Sequence, residues 1–177
     1  MFRFKPSCFF NLCNPVSKNL CNLGKRRSLI SWHLKKKAKE LLSKEQGTIY
    51  KEWGGKISVC LVYPNSYFLG MSNLGFQAIY HLLNDLDYVV CERAFLPDDK
   101  DIAEFERTST PLFSLESQRP LTEFDIIAFS ISFEEDYLNI LKIFDLARIP
   151  FLSQARDATK PLIMAGGVAV SLNPEPI

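Results

Sequence analysis

Long apolar runs, histidines and glycine-rich phosphate loops are scarce in this chain of 177 residues. No apolar run reaches the roughly 18 residues that a transmembrane helix needs, so we expect no membrane segment. The only two histidines are His33 and His81, and we interpret His81, in the middle of a predicted helix, as a wall or surface residue. No G-x-G-x-x-G motif follows the first predicted strand, which weakens the interpretation of the chain as a nucleotide-binding module.

The five cysteines have no spacing typical of a disulfide framework or a metal site. Cys8, Cys13 and Cys21 follow a C-x4-C-x7-C pattern that matches no zinc motif, so no metal ligands are predicted. Cys60 and Cys91 each lie in a predicted strand, where a reduced and buried thiol is expected. This usage indicates a reducing compartment, and we expect the chain in the cytoplasm.

Acidic residues are missing from the first 28 residues, and the charge of the whole chain is divided unevenly. Residues 1–56 hold 13 Lys and Arg against 3 Asp and Glu, a net charge of +10, whereas residues 57–177 carry a net charge of −9. We therefore predict a basic extension over residues 1–47, partly disordered and with one helix, and an α/β domain over residues 48–177. The first 28 residues have the composition of a transit peptide or of a translated leader.

A basic amphipathic helix is predicted over residues 29–46. Ile30, Leu34, Ala38 and Leu41 fall on one side of it, and lysines crowd its other faces. Such a helix can contact nucleic acid, or it can dock on the domain through its leucines. We favour docking and keep nucleic acid as an alternative partner.

Four short apolar runs alternate with helical patterns along the rest of the chain. The runs cover residues 57–62, 88–95, 125–131 and 161–165. This alternation predicts an α/β fold with a flavodoxin-like, mostly parallel open sheet and right-handed crossovers. No covering helix is predicted after the fourth run, so we expect a sheet that is incomplete at the C-terminus, as in a truncated chain.

Helical spacing is clearest in two segments, which follow the first and the third predicted strands. Leu74 and Leu82 recur with this spacing in the first segment, after a long polar loop over residues 63–73. In the second segment, Ser132 and Glu135 form a capping box that predicts the start of the helix. The residues predicted to line the buried face of that second helix are Leu138, Leu141, Phe144 and Ala147.

Three of the predicted strand ends carry polar or small residues. In open α/β sheets, ligands bind at the carboxyl ends of the strands, and small residues there let a flat or charged ligand approach the backbone. We therefore predict a cofactor-binding site at this edge, with no catalytic residue assigned to it. The residues of this predicted site are Asn65, Tyr67 and Gly70 after the first strand, Ser130 and Ser132 after the third, and Gly166 and Gly167 after the fourth.

Together these motifs resemble the cobalamin-binding domain of many radical SAM proteins, which has D-x-H-x-x-G, S-x-L and Gly-Gly at the same three strand ends. The wider text, with YPNSYFLGMSNLGFQAIYHLLN, ERAFLP and GGVAVSLNPEPI, resembles the N-terminal region of a group of radical SAM proteins over residues 56–177. Gly70, Ser130, Gly166 and Gly167 match the motifs. The departures are Asn65 in place of Asp, Tyr67 in place of the cobalt-ligating His, and Ser132 in place of Leu.

The resemblance implies an accessory domain whose partner is a radical SAM core. In that core, a C-x-x-x-C-x-x-C triplet holds the 4Fe-4S cluster that cleaves S-adenosylmethionine. This chain contains no such triplet, so we expect the cluster and S-adenosylmethionine only in the missing core, and no catalysis by this chain alone. Cobalamin would bind here without an imidazole at position 67. The alternatives are a nucleotide-binding Rossmann module and a nucleic-acid-binding protein that acts through the basic extension.

Overall fold

The sheet of this protein contains four parallel strands in the part of the chain that the structure, a computed structural model, describes, which is residues 31–176. The strands are β1 (Ile57–Tyr63), β2 (Val89–Phe95), β3 (Ile126–Ser130) and β4 (Leu162–Gly166). Their spatial order is β2–β1–β3–β4. The predicted α/β class, with a flavodoxin-like open parallel sheet, is confirmed. Predictions for residues 1–30, including those for Cys8, Cys13 and Cys21, lie outside the described residues.

Six α-helices and two short 3-10 helices accompany the sheet within residues 31–176. The α-helices are α1 (Trp32–Leu42), α2 (Tyr67–Ser72), α3 (Leu74–Asp85), α4 (Asp99–Thr108), α5 (Asp136–Ala147) and α6 (Val168–Leu172). The 3-10 helices are Leu121–Glu123 and Ser153–Ala155. None of the helices in this part of the chain is long and apolar enough to cross a membrane.

Three helix predictions were wrong in detail. The predicted polar loop after β1 contains α2, which begins where the Ser66 hydroxyl accepts a hydrogen bond from the Leu69 N–H. A short helix, α6, follows Gly167 where none was expected. The capping box at Ser132 does not form: α5 begins at Asp136, because a turn closed by the Asp136 N–H and the Phe133 carbonyl precedes it.

Alternate residues of β1 divide the core into two layers. Val59, Leu61 and Tyr63 pack with residues of α3 on one side of the sheet, which we call the α3 face. Cys60 and Val62 pack with residues of α1, α4 and α5 on the opposite side, the α5 face. A parallel strand with both faces covered is apolar throughout, which is why its sequence pattern is continuous.

The apolar stripe predicted for α3 is not the face that packs, and the stripe predicted for α5 packs in part. In α3, Phe76 and Tyr80 are buried, whereas Leu74 is 80% exposed. In α5, Phe144 and Ala147 are buried as predicted, but Leu138 is 71% exposed. Both helices are apolar on more than one side, so spacing alone did not select the face that meets the sheet.

A buried ion cluster joins the segment after α1 to the sheet. Arg93 of β2 is 3% exposed and lies between two carboxylates: its Nη2 is 2.7 Å from Glu45 Oε2, and its Nε is 2.6 Å from Glu116 Oε1. The Arg93 guanidinium also lies over the Tyr80 ring, 4.5 Å from the centroid. Burial alone would lower the pKa of Arg93, but Glu116 and Glu45 raise it above its ordinary value, so the guanidinium stays protonated.

We expect Arg93→Met to lower the free energy of unfolding by about 3–5 kcal/mol, because it leaves two buried carboxylates without their cation. Urea unfolding followed by circular dichroism measures this loss. Arg107→Met is the matched control, since Arg107 is exposed and solvent screens its ion pair with Glu104. Equal midpoints for the Arg93 variant and the control would contradict the prediction.

Candidate functional site at the carboxyl edge of the sheet

The loops after β1 and β3 meet at the carboxyl edge of the sheet. These strands are neighbours, and the helices that follow them, α3 and α5, pack on opposite faces. The boundary between them is therefore the topological switch point, where open α/β sheets form their ligand crevices. Asn65 and Ser132 of the predicted site lie along this boundary.

Asn65, the first residue of the predicted site, is hydrogen-bonded to the buried carboxylate of Asp136, which is not among the predicted site residues. Its side-chain amide donates to Asp136 Oδ1 at 2.9 Å, and its side-chain oxygen accepts from the Ser66 N–H at 2.8 Å. Asp136 is 1% exposed, and its Oδ2 has no hydrogen-bond partner among the described residues. In the sequence, Asp136 stands among acidic residues that suit a helix N-terminus, so nothing there distinguishes it.

A second hydrogen bond joins the same two loops. The Asn73 side-chain amide donates to the Ser132 hydroxyl at 3.0 Å, and the Asn73 side-chain oxygen accepts from the Phe76 N–H at 2.9 Å, which caps α3. Ser132 therefore lies at the predicted site, but in contact with the loop after β1 instead of capping its own helix. Asn73 could have been selected from its position before the first apolar residue of α3.

Tyr67 lies on the β2 side of the edge and is held by the ion cluster. Its hydroxyl donates to Glu45 Oε1 at 2.6 Å, and its ring packs edge-on against Phe95, with 5.3 Å between centroids. Burial, followed by the bond to the Glu45 carboxylate, raises the pKa of Tyr67 well above its ordinary value. The side chain is therefore a neutral phenol whose proton is already donated within the protein.

Two of the three predicted glycines make close approaches inside the protein. A Cβ at Gly70 would lie 2.5 Å from a ring carbon of Phe95, and one at Gly167 would overlap the backbone of Ile131. Gly167 also has a φ of 112°, which favours glycine. Gly166 differs, since a Cβ there would meet nothing within 4 Å. Its register partner on β3 is Ser130, which is buried, so the open part of the edge lies at Gly166.

A cobalamin held by an axial histidine does not fit this donor set. Tyr67 occupies the matching position and donates to Glu45, while His81 lies on α3 beside the segment 45–47. Within residues 31–176, no three His, Cys, Asp or Glu side chains are grouped to hold a metal ion. Burial raises the pKa of the Cys60 thiol well above its ordinary value and that of Cys91 to about 12, so both are unreactive structural thiols.

We expect Tyr67→Phe to lower the free energy of unfolding by about 1–2 kcal/mol, because Glu45 loses a short hydrogen bond in a partly buried place. Tyr50→Phe is the matched control, since the Tyr50 ring is exposed. Urea titrations of both variants and the parent chain provide the comparison. If Tyr67→Phe were as stable as the parent chain, the hydroxyl would not be tied to Glu45 and would be free to meet a ligand.

One comparison with known proteins adds to this geometry. A family model described as radical SAM proteins, N-terminal, matches residues 75–177, which is more than half of the chain. The match covers the strands from β2 to β4 and the predicted site residues from Ser130 onward. No curated protein and no solved structure matches the chain. The chain therefore belongs to the family of N-terminal domains of radical SAM proteins.

Proposed function

We propose that this chain is a non-catalytic accessory domain that docks on a radical SAM core domain. The family supports the class of partner. The observation that carries the proposal is an uncovered apolar surface on the α3 face, next to the open part of the carboxyl edge. The 4Fe-4S cluster and S-adenosylmethionine would belong to the core. This domain would act without a histidine-ligated cobalamin, in a reducing compartment such as the cytoplasm.

The floor of this surface is formed by β3 and β4. Ile126 and Ala128 pair in register with Leu162 and Met164, and all four share the face of β1 that carries Val59 and Leu61. The packing of α3 covers the β1 side of this face, but Leu162 is 59% exposed and Met164 is 50% exposed. Parallel sheets are normally covered on both faces, so exposed apolar side chains on these strands indicate an interaction surface.

One wall of the surface is a flank of α3. Gln77 and His81 lie on the flank that meets residues 45–47 and Arg93, on the β2 side. At 3.6 residues per turn, Ile79 and Leu82 lie on the opposite flank, toward β3, and both are exposed. We call this floor and wall together the apolar trough.

The width of the apolar trough suits a single helix. Two neighbouring strands span about 10 Å at a spacing of roughly 4.8 Å, and a helix with its side chains is about 10–12 Å across. We therefore propose that a helix of the radical SAM core domain lies along β3 and β4, with its apolar stripe on Leu162 and Met164. This arrangement would bring the core beside Ser130 and Gly166.

The two alternative functions gain less support from the contacts. The Nζ of Lys37, one of the lysines of the basic helix, lies 2.8 Å from Asp98 and 2.5 Å from Asp101, so this charge is already neutralised. Leu34, Ala38 and Leu42 of the same helix are buried against the domain. For a nucleotide-binding module, the turn after β1 would have to admit phosphates, but Gly70 there is closed by Phe95.

The test uses the radical SAM core domain of a family member that carries both domains, produced as a separate chain. We expect this core to bind the present chain in isothermal titration, and a double variant with Leu82→Glu and Met164→Glu to bind at least about tenfold more weakly, since charges would be buried in the trough. Leu138→Glu on α5 is the control, because Leu138 lies on the opposite face and is 71% exposed, close to the 65% of Leu82.

Three results would contradict this proposal. They are a failure of the core to bind, an equal loss of binding in the Leu138 control, or unchanged binding by the trough variant. Sedimentation of the chain alone separates a further case. Self-association that the trough variant abolishes would assign the trough to a second copy and overturn the proposed partner.

A further inference from the structure

A partly open apolar pocket lies on the α5 face, away from the apolar trough and next to the β2 end of the carboxyl edge. Its volume is about 260 Å3, and it opens between α1, α2, α4 and the carboxyl end of β2. Ala94, Phe105 and Leu112, all buried, are among the residues that line it, together with Leu34 and Ala38 of α1. This space is large enough for a small organic group, since a single water needs only about 10–15 Å3 by the same measure.

Three charged side chains line the pocket, and their net charge is negative. Lys37, Asp98 and Asp101 all line the pocket, with the Lys37 ammonium bound to both carboxylates. The hydrogen bond from Lys37 lowers the pKa of Asp98, which keeps this carboxylate ionised at neutral pH. Two carboxylates and one ammonium leave one negative charge beside an otherwise apolar cavity.

This combination of charge and shape selects a class of ligand. The lining contacts favour a hydrocarbon or aromatic group, and the acidic pair favours a cation over a neutral or anionic end. Lys37 itself shows that the two carboxylates hold an ammonium. Because its amine is partly exposed and sits on a flexible four-carbon stem, a ligand amine can take its place without moving the backbone.

We propose that this pocket binds small amphipathic amines, with the apolar body among Ala38, Ala94 and Phe105 and the ammonium at Asp98 and Asp101. The site is separate from the apolar trough, so the proposal does not depend on the docking function. Tyr67 contributes to the pocket wall, while its hydroxyl stays with Glu45. A ligand here would therefore contact the same tyrosine that stands at the position of the cobalt-ligating histidine.

The experiment titrates the chain with 2-phenylethylamine, 2-phenylethanol and phenylacetate, followed by two-dimensional NMR of the backbone amides. We expect the amine to bind with a dissociation constant of about 1 mM, as suits a ligand of nine heavy atoms. The alcohol should bind about tenfold more weakly and the carboxylate more weakly still. The shifted amides should belong to α1, α4 and the end of β2.

Two variants separate the parts of the site. Asp98→Asn removes the charge but keeps a residue that caps α4, so we expect a three- to tenfold loss for the amine and no change for the alcohol. Ala38→Phe fills the pocket and should abolish binding of all three ligands, whereas Ala78→Phe, on the exposed side of α3, should bind as the parent chain does. Equal affinities for the three ligands, an unchanged amine affinity in Asp98→Asn, or shifts confined to other elements would overturn the proposal.

Discussion

The buried contact between Arg93 and its two carboxylates is the constraint on which the rest of the structure depends. Arg93 belongs to the edge strand β2, Glu45 follows α1, and Glu116 lies in the irregular segment between α4 and β3. One guanidinium thus connects three parts of the chain that are far apart in sequence. Because burying a charge without partners is costly in free energy, the folded state requires all three parts of the chain to be in contact at Arg93.

This constraint decides what the carboxyl edge can do. Glu45, once held by Arg93, accepts the hydroxyl of Tyr67, and α2 then packs so closely that Gly70 touches the Phe95 ring. The turn after β1 is therefore filled by the protein itself, and the apolar pocket lies beyond it, at the end of β2. Gly166 at the end of β4 stays open, and this side of the edge continues into the apolar trough. This division supports the proposal that the domain docks on a partner instead of holding a corrin through an axial ligand.

The sequence predicted the strands well and the contacts between distant residues poorly. Apart from the exposed Ile57, the run of β1 is buried on both faces, so composition alone identifies it. The packed face of α3 was ambiguous, because Leu74, Ala78 and Leu82 recur every four residues, as Phe76 and Tyr80 do. The predicted site residues do lie at the carboxyl edge of the sheet, but their hydrogen-bond partners were not predicted. Asp136, for example, is 71 positions from Asn65 in the sequence. Glu45 lay in the segment assigned to a separate extension, so its bond to Tyr67 had no signal in the sequence.

We infer that the ion cluster makes α1 and the segment after it part of the same cooperative unit as the sheet. Native-state hydrogen exchange tests this directly, because it reports the free energy at which each amide opens. We expect the amides of Ala38 and Leu42 in α1 to exchange only through the opening that also exposes Cys60 and Val62 in β1. Exchange of the α1 amides at the rate of a free helix, while the β1 amides stay protected, would contradict it.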